Sequence, residues 1–335
     1  MKVLFVCKLR NLGPYYKIPF GLLNSARFVA EALSKFGIGT KVVDVIDGNF
    51  IDKEVYQYKP DFVMLEALWV TPDKIRELLK LHKHVKWVVR IHSKAPFLAM
   101  EGIAFEWLNE YKKIAEHHKN FKISANNEDF NDDLNALGFK SIYLPNIYTP
   151  PKQHTHKVKD CILDVGCFGA IRPLKNQMLQ AVAAIKFADK LDKPLNFHIN
   201  GDRTEQKGDQ VLKNLRALFA PLAPRHKLVE HGWMSHHDFI KLIGQMDVGM
   251  QVSLTESFNI VTADFVGQNV PIVVSPDISW MPGIFMADPN SADSMAKKLK
   301  FAYITKAIGL QKINRWYLDW YNELAIDEWE DYLGI

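Results

Sequence analysis

Cysteine, long apolar runs and metal-binding spacings are all scarce in this sequence, and each shortage excludes a class of protein. The three cysteines, Cys7, Cys161 and Cys167, are odd in number and sit among apolar neighbours. That pattern fits reduced core thiols and excludes a disulfide-stapled scaffold or a four-ligand zinc site. No stretch approaches the ~18 uninterrupted apolar residues read as a membrane span. Lys8 and Arg10 follow the first apolar run directly, so neither a transmembrane helix nor a secretory signal is expected, and the expected location is cytoplasmic. The pairs His117-His118 and His236-His237, and His82 with His84, lack the Cys or acid spacing of a metal centre. Helix-turn-helix, zinc-finger and base-stacking patterns are missing as well.

What is present is ordinary for a globular protein: 48% hydrophobic and 24% charged residues over 335 positions. That length accommodates about two domains with cores of their own. The net charge of +4 is unevenly spread. From Pro72 to Lys94 seven Lys/Arg face two acids, whereas Asp319 to Asp331 carries six acids and no base. A basic stretch of this kind either attracts an anionic partner or is the solvated face of a helix.

Short apolar runs alternate with helix-period segments along the chain. Lys2–Cys7, Lys41–Val45, Phe62–Leu65, Trp87–Ile91, Lys122–Ser124 and Ser141–Leu144 read as strands. Helical spacing fills the gaps at Gly21–Lys35, Pro72–Leu81, Glu101–His118 and Asn126–Leu137. The proline-rich segment Pro145–His156 reads as a linker. A second alternating series then runs through Cys161–Cys167, Gln177–Leu191, Leu195–Ile199, Lys207–Phe219, Lys227–Glu230 and His236–Gln245. Strands alternating with helices imply parallel sheets covered on both faces. The expected organisation is one doubly wound domain over 1–150, a second over 157–310, and a C-terminal helix with an acidic tail over 311–335. That helix carries Ile313, Trp316, Tyr317, Trp320, Tyr321 and Leu324 at spacings of three and four, which predicts packing on that stripe.

The chemistry concentrates between Asp247 and Ser275. Val248–Val252 predicts a strand buried on both faces. After the turn through Glu256, Ser257 and Asn259 are both competent N-caps for a helix ending near Gly267. Such a helix start is an anion and hydroxyl site. Glu256 and Asp264, eight residues apart, can lie at different depths along one side of the element. Two acceptors so placed suit a long polyhydroxylated ligand, although a dipole-capping Glu256 and a solvated Asp264 fit the spacing equally well.

These residues resemble the retaining GT-B glycosyltransferases of the group 1 family, most clearly over 160–280. Glu256 and Asp264 resemble that family's pair of acids, with Asp in place of the second Glu. Val165–Asn176 resembles its glycine-rich loop, Gly267–Val273 its small-residue turn and buried strand, and Asn200-Gly201-Asp202, His231–Met234 and Leu144-Pro145-Asn146 three further landmarks in order. The resemblance implies two Rossmann-like doubly wound domains facing across a cleft, with the last helix packing back on the first domain. It implies transfer of a sugar from a nucleotide diphosphate sugar to an acceptor hydroxyl, with retention and without metal. No cofactor is expected beyond the nucleotide sugar as co-substrate.

On that resemblance Lys175 and Arg172 neutralise the diphosphate, Glu256 accepts from sugar hydroxyls, and the backbone N–H groups of Ser257, Phe258 and Asn259 hold the sugar and distal phosphate. Asp264 takes the ribose, Gly169 lies in the phosphate loop, and His92 and Gly13 approach the donor from the first domain, with Lys8, Arg10 or Asn24 near the acceptor. Arg172 stands three residues before Lys175, where the family has five, so Lys175 is the firmer assignment. The acceptor is open: an anionic glycolipid, or a modified base in DNA recruited by the basic stretch. A non-catalytic nucleotide-sugar binding protein is the alternative from another class.

Overall fold

The structure, a computed structural model, describes residues 1–9, 21–153, 161–232 and 234–335. The chain forms two compact units, Met1–Thr149 joined by Asn322–Ile335, and Pro150–Tyr321.

In the first unit, six strands form one parallel sheet: β1 (Lys2–Lys8), β2 (Gly39–Val45), β3 (Phe62–Glu66), β4 (Lys86–Ile91), β5 (Phe121–Ala125) and β6 (Ile142–Tyr143). Their order is β2-β1-β3-β4-β5-β6. Strands β1, β3 and β4 are apolar almost throughout because helices cover both of their faces. The helices are α1 (Gly21–Ser34), α2 (Phe50–Tyr58), α3 (Pro72–Leu81), α4 (Ala95–Leu98), α5 (Ala104–His117) and α6 (Glu128–Ala136). Helix α3 begins where it does because the Thr71 hydroxyl accepts from the Lys74 N–H at 3.3 Å and Pro72 occupies the first turn. The chain reverses its direction of growth between β1 and β3, so a crevice opens at their carboxyl ends.

The second unit holds β7 (Leu163–Gly166), β8 (Leu195–Asn200), β9 (His226–His231), β10 (Val248–Gln251) and β11 (Ile272–Val274), again all parallel, in the order β11-β10-β7-β8-β9. Helices α7 (Gln177–Lys190), α8 (Gly208–Phe219), α9 (His236–Gly244), α10 (Ile260–Gly267) and α11 (Ala292–Thr305) flank it. Here the reversal lies between β7 and β10. Two glycines set the spacing at that point: a Cβ on Gly166 or Gly249 would lie 2.9 or 2.7 Å from the Phe265 ring. Glycine therefore lets α10, which carries Phe265, settle on the sheet.

Helix α12 (Lys312–Leu333) starts in the second unit and finishes in the first. Its buried face is Asn314, Leu318, Ala325, Trp329 and Leu333, whereas Ile313, Trp316, Trp320 and Leu324 are exposed. The packing stripe expected from the sequence is thus largely on the outside. Trp316 and Leu318 are two residues apart, which puts them on nearly opposite sides of a helix, and the heavier aromatic stripe was not the one that packs. In the first unit the Trp329 indole N–H donates to the Pro145 carbonyl at 2.9 Å, and its ring lies 5.3 Å from the Arg90 guanidinium and 5.9 Å from Phe5. Truncation to Trp329→Ala is expected to destabilise the protein by about 3–5 kcal/mol, read as a lower midpoint in denaturant unfolding.

Candidate functional site

The loops leaving β7 and β10 meet at the reversal point of the second sheet. After β7, Cys167 and Phe168 stay buried, and Gly169 takes φ 113°, a conformation costly for any side chain. Its N–H donates to Asn200 Oδ1 at 2.8 Å. A single 3₁₀ turn, Pro173–Lys175, follows. It ends at Asn176, left-handed at φ 58°, whose side-chain amide donates to the Val252 and Pro289 carbonyls at 3.1 and 2.7 Å. The turn is thereby fastened to the loop after β10, and Leu254 N–H donates to Leu174 O at 2.9 Å.

This fastening brings Lys175 and Glu256 into a direct ion pair. Their side chains are only 13% and 8% exposed, so water screens the pair little. Burial raises the Glu256 carboxyl, but the Lys175 and Arg172 charges outweigh it and hold the group below the usual carboxylate range. Burial pulls the Lys175 ammonium below the usual lysine range; Glu256 draws it back and Arg172 pushes it further down. Arg172 Nη1 lies 3.4 Å from Glu205 Oε2, so its charge is shared between Glu205 and the pair.

A set of buried amides holds the two loops together. Gln251 donates to Phe168 O at 2.8 Å, Asn259 donates to Gln251 Oε1 at 2.9 Å, and Gln180 donates to Lys175 O at 2.7 Å while accepting from Val252 N–H at 2.9 Å. Of these, sequence reading singled out Asn259 and passed over Gln251 and Gln180. The available signal was polarity inside apolar runs: Gln251 ends a buried strand, and Gln180 sits on the buried face of α7.

Helix α10 begins at Ile260, later than a start at Ser257 would place it. Asn259 is left-handed, and its Oδ1 accepts from Thr262 N–H at 2.9 Å. Ser257 and Phe258 therefore belong to the turn before the helix, with Phe258 buried between Trp280 and Tyr321 at centroid distances of 5.5 and 5.3 Å. Glu256 N–H donates to Asp277 Oδ2 at 2.9 Å. Asp264, on α10 itself, is almost fully buried and lies 2.8 Å from His236 Nε2, on the first residue of α9. The two acids thus have separate basic partners, Lys175 for Glu256 and His236 for Asp264. Burial lowers the His236 imidazole, but the hydrogen bond and charge of Asp264 prevail and leave it raised.

The first unit presents different groups. His92 follows β4 with both ring nitrogens engaged: Nε2 with the Glu66 carboxylate, Nδ1 with Asn126 Nδ2 at 3.3 Å. Burial is the leading cause of a lowered His92 pKa, with Arg90 adding to it against Glu66, and a neutral ring donating from Nε2 fits both contacts. Arg90, fully buried, pairs with Glu66 at 2.9 Å and donates to Leu144 O, Pro145 O and Asn146 Oδ1 at 2.9, 2.8 and 2.5 Å. At the β1/β3 crevice lies a cavity of about 220 Å³ lined by Lys8, Asp47, Asn49, Trp69, Thr71 and Lys74 among others. Part of the basic stretch 72–94 is paired: besides buried Arg90, Lys74, Arg76 and Lys94 pair with Glu77, with Asp73 and Glu110, and with Asp129, while Lys80, Lys83 and Lys86 are exposed. Gly13 and Arg10 lie outside the described residues. Among the described residues no group of three His, Cys, Asp or Glu is arranged to hold a metal ion, and no helix is long and apolar enough to cross a membrane.

The topology has known counterparts. Sucrose-phosphate synthase from Thermosynechococcus elongatus superposes with a TM-score of 0.72 at 12% identity, over 99% of this chain and 98% of that one. A trehalose-6-phosphate protein from E. coli bound with UDP-2-fluoro glucose gives 0.66 at 11% identity, over 98% and 96%. A trehalose-6-phosphate synthase studied for glycosyl transfer with retention, using bisubstrate glycomimetics, gives 0.57 at 10% identity, over 84% and 74%. No protein-family model and no curated protein matches the sequence. The chain has the GT-B fold, two Rossmann-like units each with its own parallel sheet.

Two outcomes follow from the charges. Lys175→Met strands the Glu256 carboxylate in a buried site and is expected to cost about 3–5 kcal/mol in denaturant unfolding, whereas Lys175→Met combined with Glu256→Gln removes both charges and should recover most of that loss. Because the folded pKa of His236 lies above its unfolded value, the stability it contributes is complete below the unfolded histidine range and disappears as pH rises through the folded pKa. Melting temperatures of the wild type and of His236→Gln should therefore differ most in mildly acidic buffer and converge in alkaline buffer.

Proposed function

We propose that this protein is a glycosyltransferase that moves a sugar from a nucleotide diphosphate sugar to an acceptor hydroxyl. The observation that carries the reading is the buried Lys175–Glu256 pair at the β7/β10 reversal point. It places a cation and a carboxylate side by side where sheets of this kind bind ligands. A sugar diphosphate needs both: cations for the phosphates, an acceptor for the sugar hydroxyls.

In this reading Lys175 and Arg172 stabilise the negative charge that grows on the leaving diphosphate, the main catalytic task in such a transfer. Glu256 then exchanges its lysine partner for the hydroxyls of the sugar. The Gly169 loop approaches the phosphates, and the turn N–H groups of Ser257, Phe258 and Asn259 border the sugar. Asp264, steadied by His236, takes the ribose end; one methylene shorter than Glu, it relies on the imidazole to fix its direction. The acceptor oxygen bonds to the anomeric carbon as the bond from that carbon to the distal phosphate oxygen breaks, and the hydroxyl proton passes to the departing phosphate. Attack on the face the diphosphate leaves gives retention, the outcome studied in the trehalose-6-phosphate synthase neighbour. Because lysine and arginine meet the diphosphate, we propose that the reaction proceeds without a metal. A uridine diphosphate donor is favoured by the neighbour bound with UDP-2-fluoro glucose, and the Lys8–Lys74 cavity is the proposed acceptor pocket. His92, with both nitrogens engaged, contributes by shaping the β4 end and not by moving protons.

One observation favours a second reading. Arg172 and Asp264 are each already paired, with Glu205 and His236, as they would be in a binding protein that does not turn over. A panel of UDP-, GDP- and ADP-linked sugars separates the two. The transferase reading predicts a raised melting temperature with one donor and sugar transfer or slow hydrolysis that falls about 10²–10³-fold in Lys175→Met. A donor that stabilises the protein but is never consumed, across many acceptors, would establish the second reading instead.

A further inference from the structure

We propose that the face formed by α11, the turn after it and the start of α12 docks on an anionic lipid surface. From Lys297 to Trp316 the chain carries six Lys/Arg and no acid. On α11, the exposed residues Lys297, Lys300, Phe301 and Ile304 recur at spacings of three and four, so one helix face presents them all. The turn that closes at left-handed Gly309 carries Ile308, 79% exposed, and the first turns of α12 add Ile313, Trp316 at 62% and Trp320 at 48%.

Singly exposed apolar residues are ordinary, but a run of six along two consecutive helices and their turn is not. Tryptophan set beside isoleucine and lysine is the pairing that membrane–water interfaces favour: the ring sits at headgroup depth, the aliphatic groups enter the acyl boundary, and the ammonium groups meet the lipid phosphates. Two of the nearby acids are already neutralised. Asp319 is paired with Arg315 at 2.8 Å, and Asp293 in the first turn of α11 is paired with Lys186 at 2.7 Å. Lys298 and Lys306 are half-buried, with Lys298 donating to Ile284 O, so the outward charge comes chiefly from Lys297, Lys300 and Lys312. A nucleic acid would use the lysines but would find no partner for Ile304, Ile308 and Ile313. Acidic residues continue along α12 from Glu323, which is exposed one turn after Trp320 on the same side of the helix, so the docking face ends there. The docking is peripheral, and it stands apart from the donor chemistry.

Co-sedimentation of the full chain with phosphatidylcholine vesicles, with and without phosphatidylglycerol, tests it. Binding is expected only with phosphatidylglycerol and should weaken as salt rises. Lys297→Gln and Lys300→Gln should each reduce partition about fivefold. The combination Ile308→Ser, Trp316→Ser and Trp320→Ser should abolish sedimentation while leaving the melting temperature and the donor-induced thermal shift unchanged. Failure to sediment with phosphatidylglycerol vesicles, or sedimentation untouched by the apolar substitutions, would overturn the proposal. So would salt-sensitive binding to a DNA duplex that vesicles fail to displace.

Discussion

The second unit depends on one electrostatic constraint: Lys175 and Glu256, on loops from different strands, meet in a site too buried for water to neutralise either. Each charge is tolerable only because the other is there. That mutual dependence explains why the surroundings are so heavily tied down. The left-handed Asn176, the Gln180–Val252 and Gln251–Asn259 bonds and the Leu174–Leu254 bond all hold one loop at a fixed distance from the other. The glycines at Gly166 and Gly249 allow Phe265 and α10 to sit close enough for the loop to end beside Lys175.

The first unit is organised by a second buried charge, Arg90. Its guanidinium gathers Glu66, the carbonyls at the end of the domain and the Trp329 ring, and so binds the end of the chain into a sheet formed by its beginning. Burial raises the Glu66 carboxyl, but Arg90 and His92 hold it below the usual carboxylate range. His92 is therefore fixed within a charge cluster. The two units share an economy of design: a parallel sheet, a crevice at the strand ends where the topology reverses, and one buried ion pair beside it.

Much of this was legible in the sequence because hydrophobic period is a local property. The strands and most helices emerged within a residue or two, and α3 runs over Pro72–Leu81 as its spacing predicts. Helices α2, α4 and α11 went unread, α4 being a single turn. In α2 only Ile51 and Val55 are buried, too sparse a stripe to recognise, and in α11 exposed Phe301 and Ile304 blur the period. Misreading α12 had a related cause: aromatic residues at helical spacing look like a core whichever way they face. Glu256 and Lys175 were singled out by resemblance, but their pairing is a long-range fact, set by how two loops 81 residues apart are fastened. The amides that fasten them, and His236 beside Asp264, left only the trace of polar residues in apolar company.

The most direct test of the proposed donor site compares the affinities of UDP and UDP-glucose in calorimetry for the wild type, Lys175→Met and Glu256→Gln. If Lys175 serves the diphosphate and Glu256 the sugar, Lys175→Met will weaken both ligands alike, while Glu256→Gln will erase the advantage of UDP-glucose over UDP and leave UDP itself bound. Equal losses for both ligands in Glu256→Gln, or unchanged UDP affinity in Lys175→Met, would contradict the assignment.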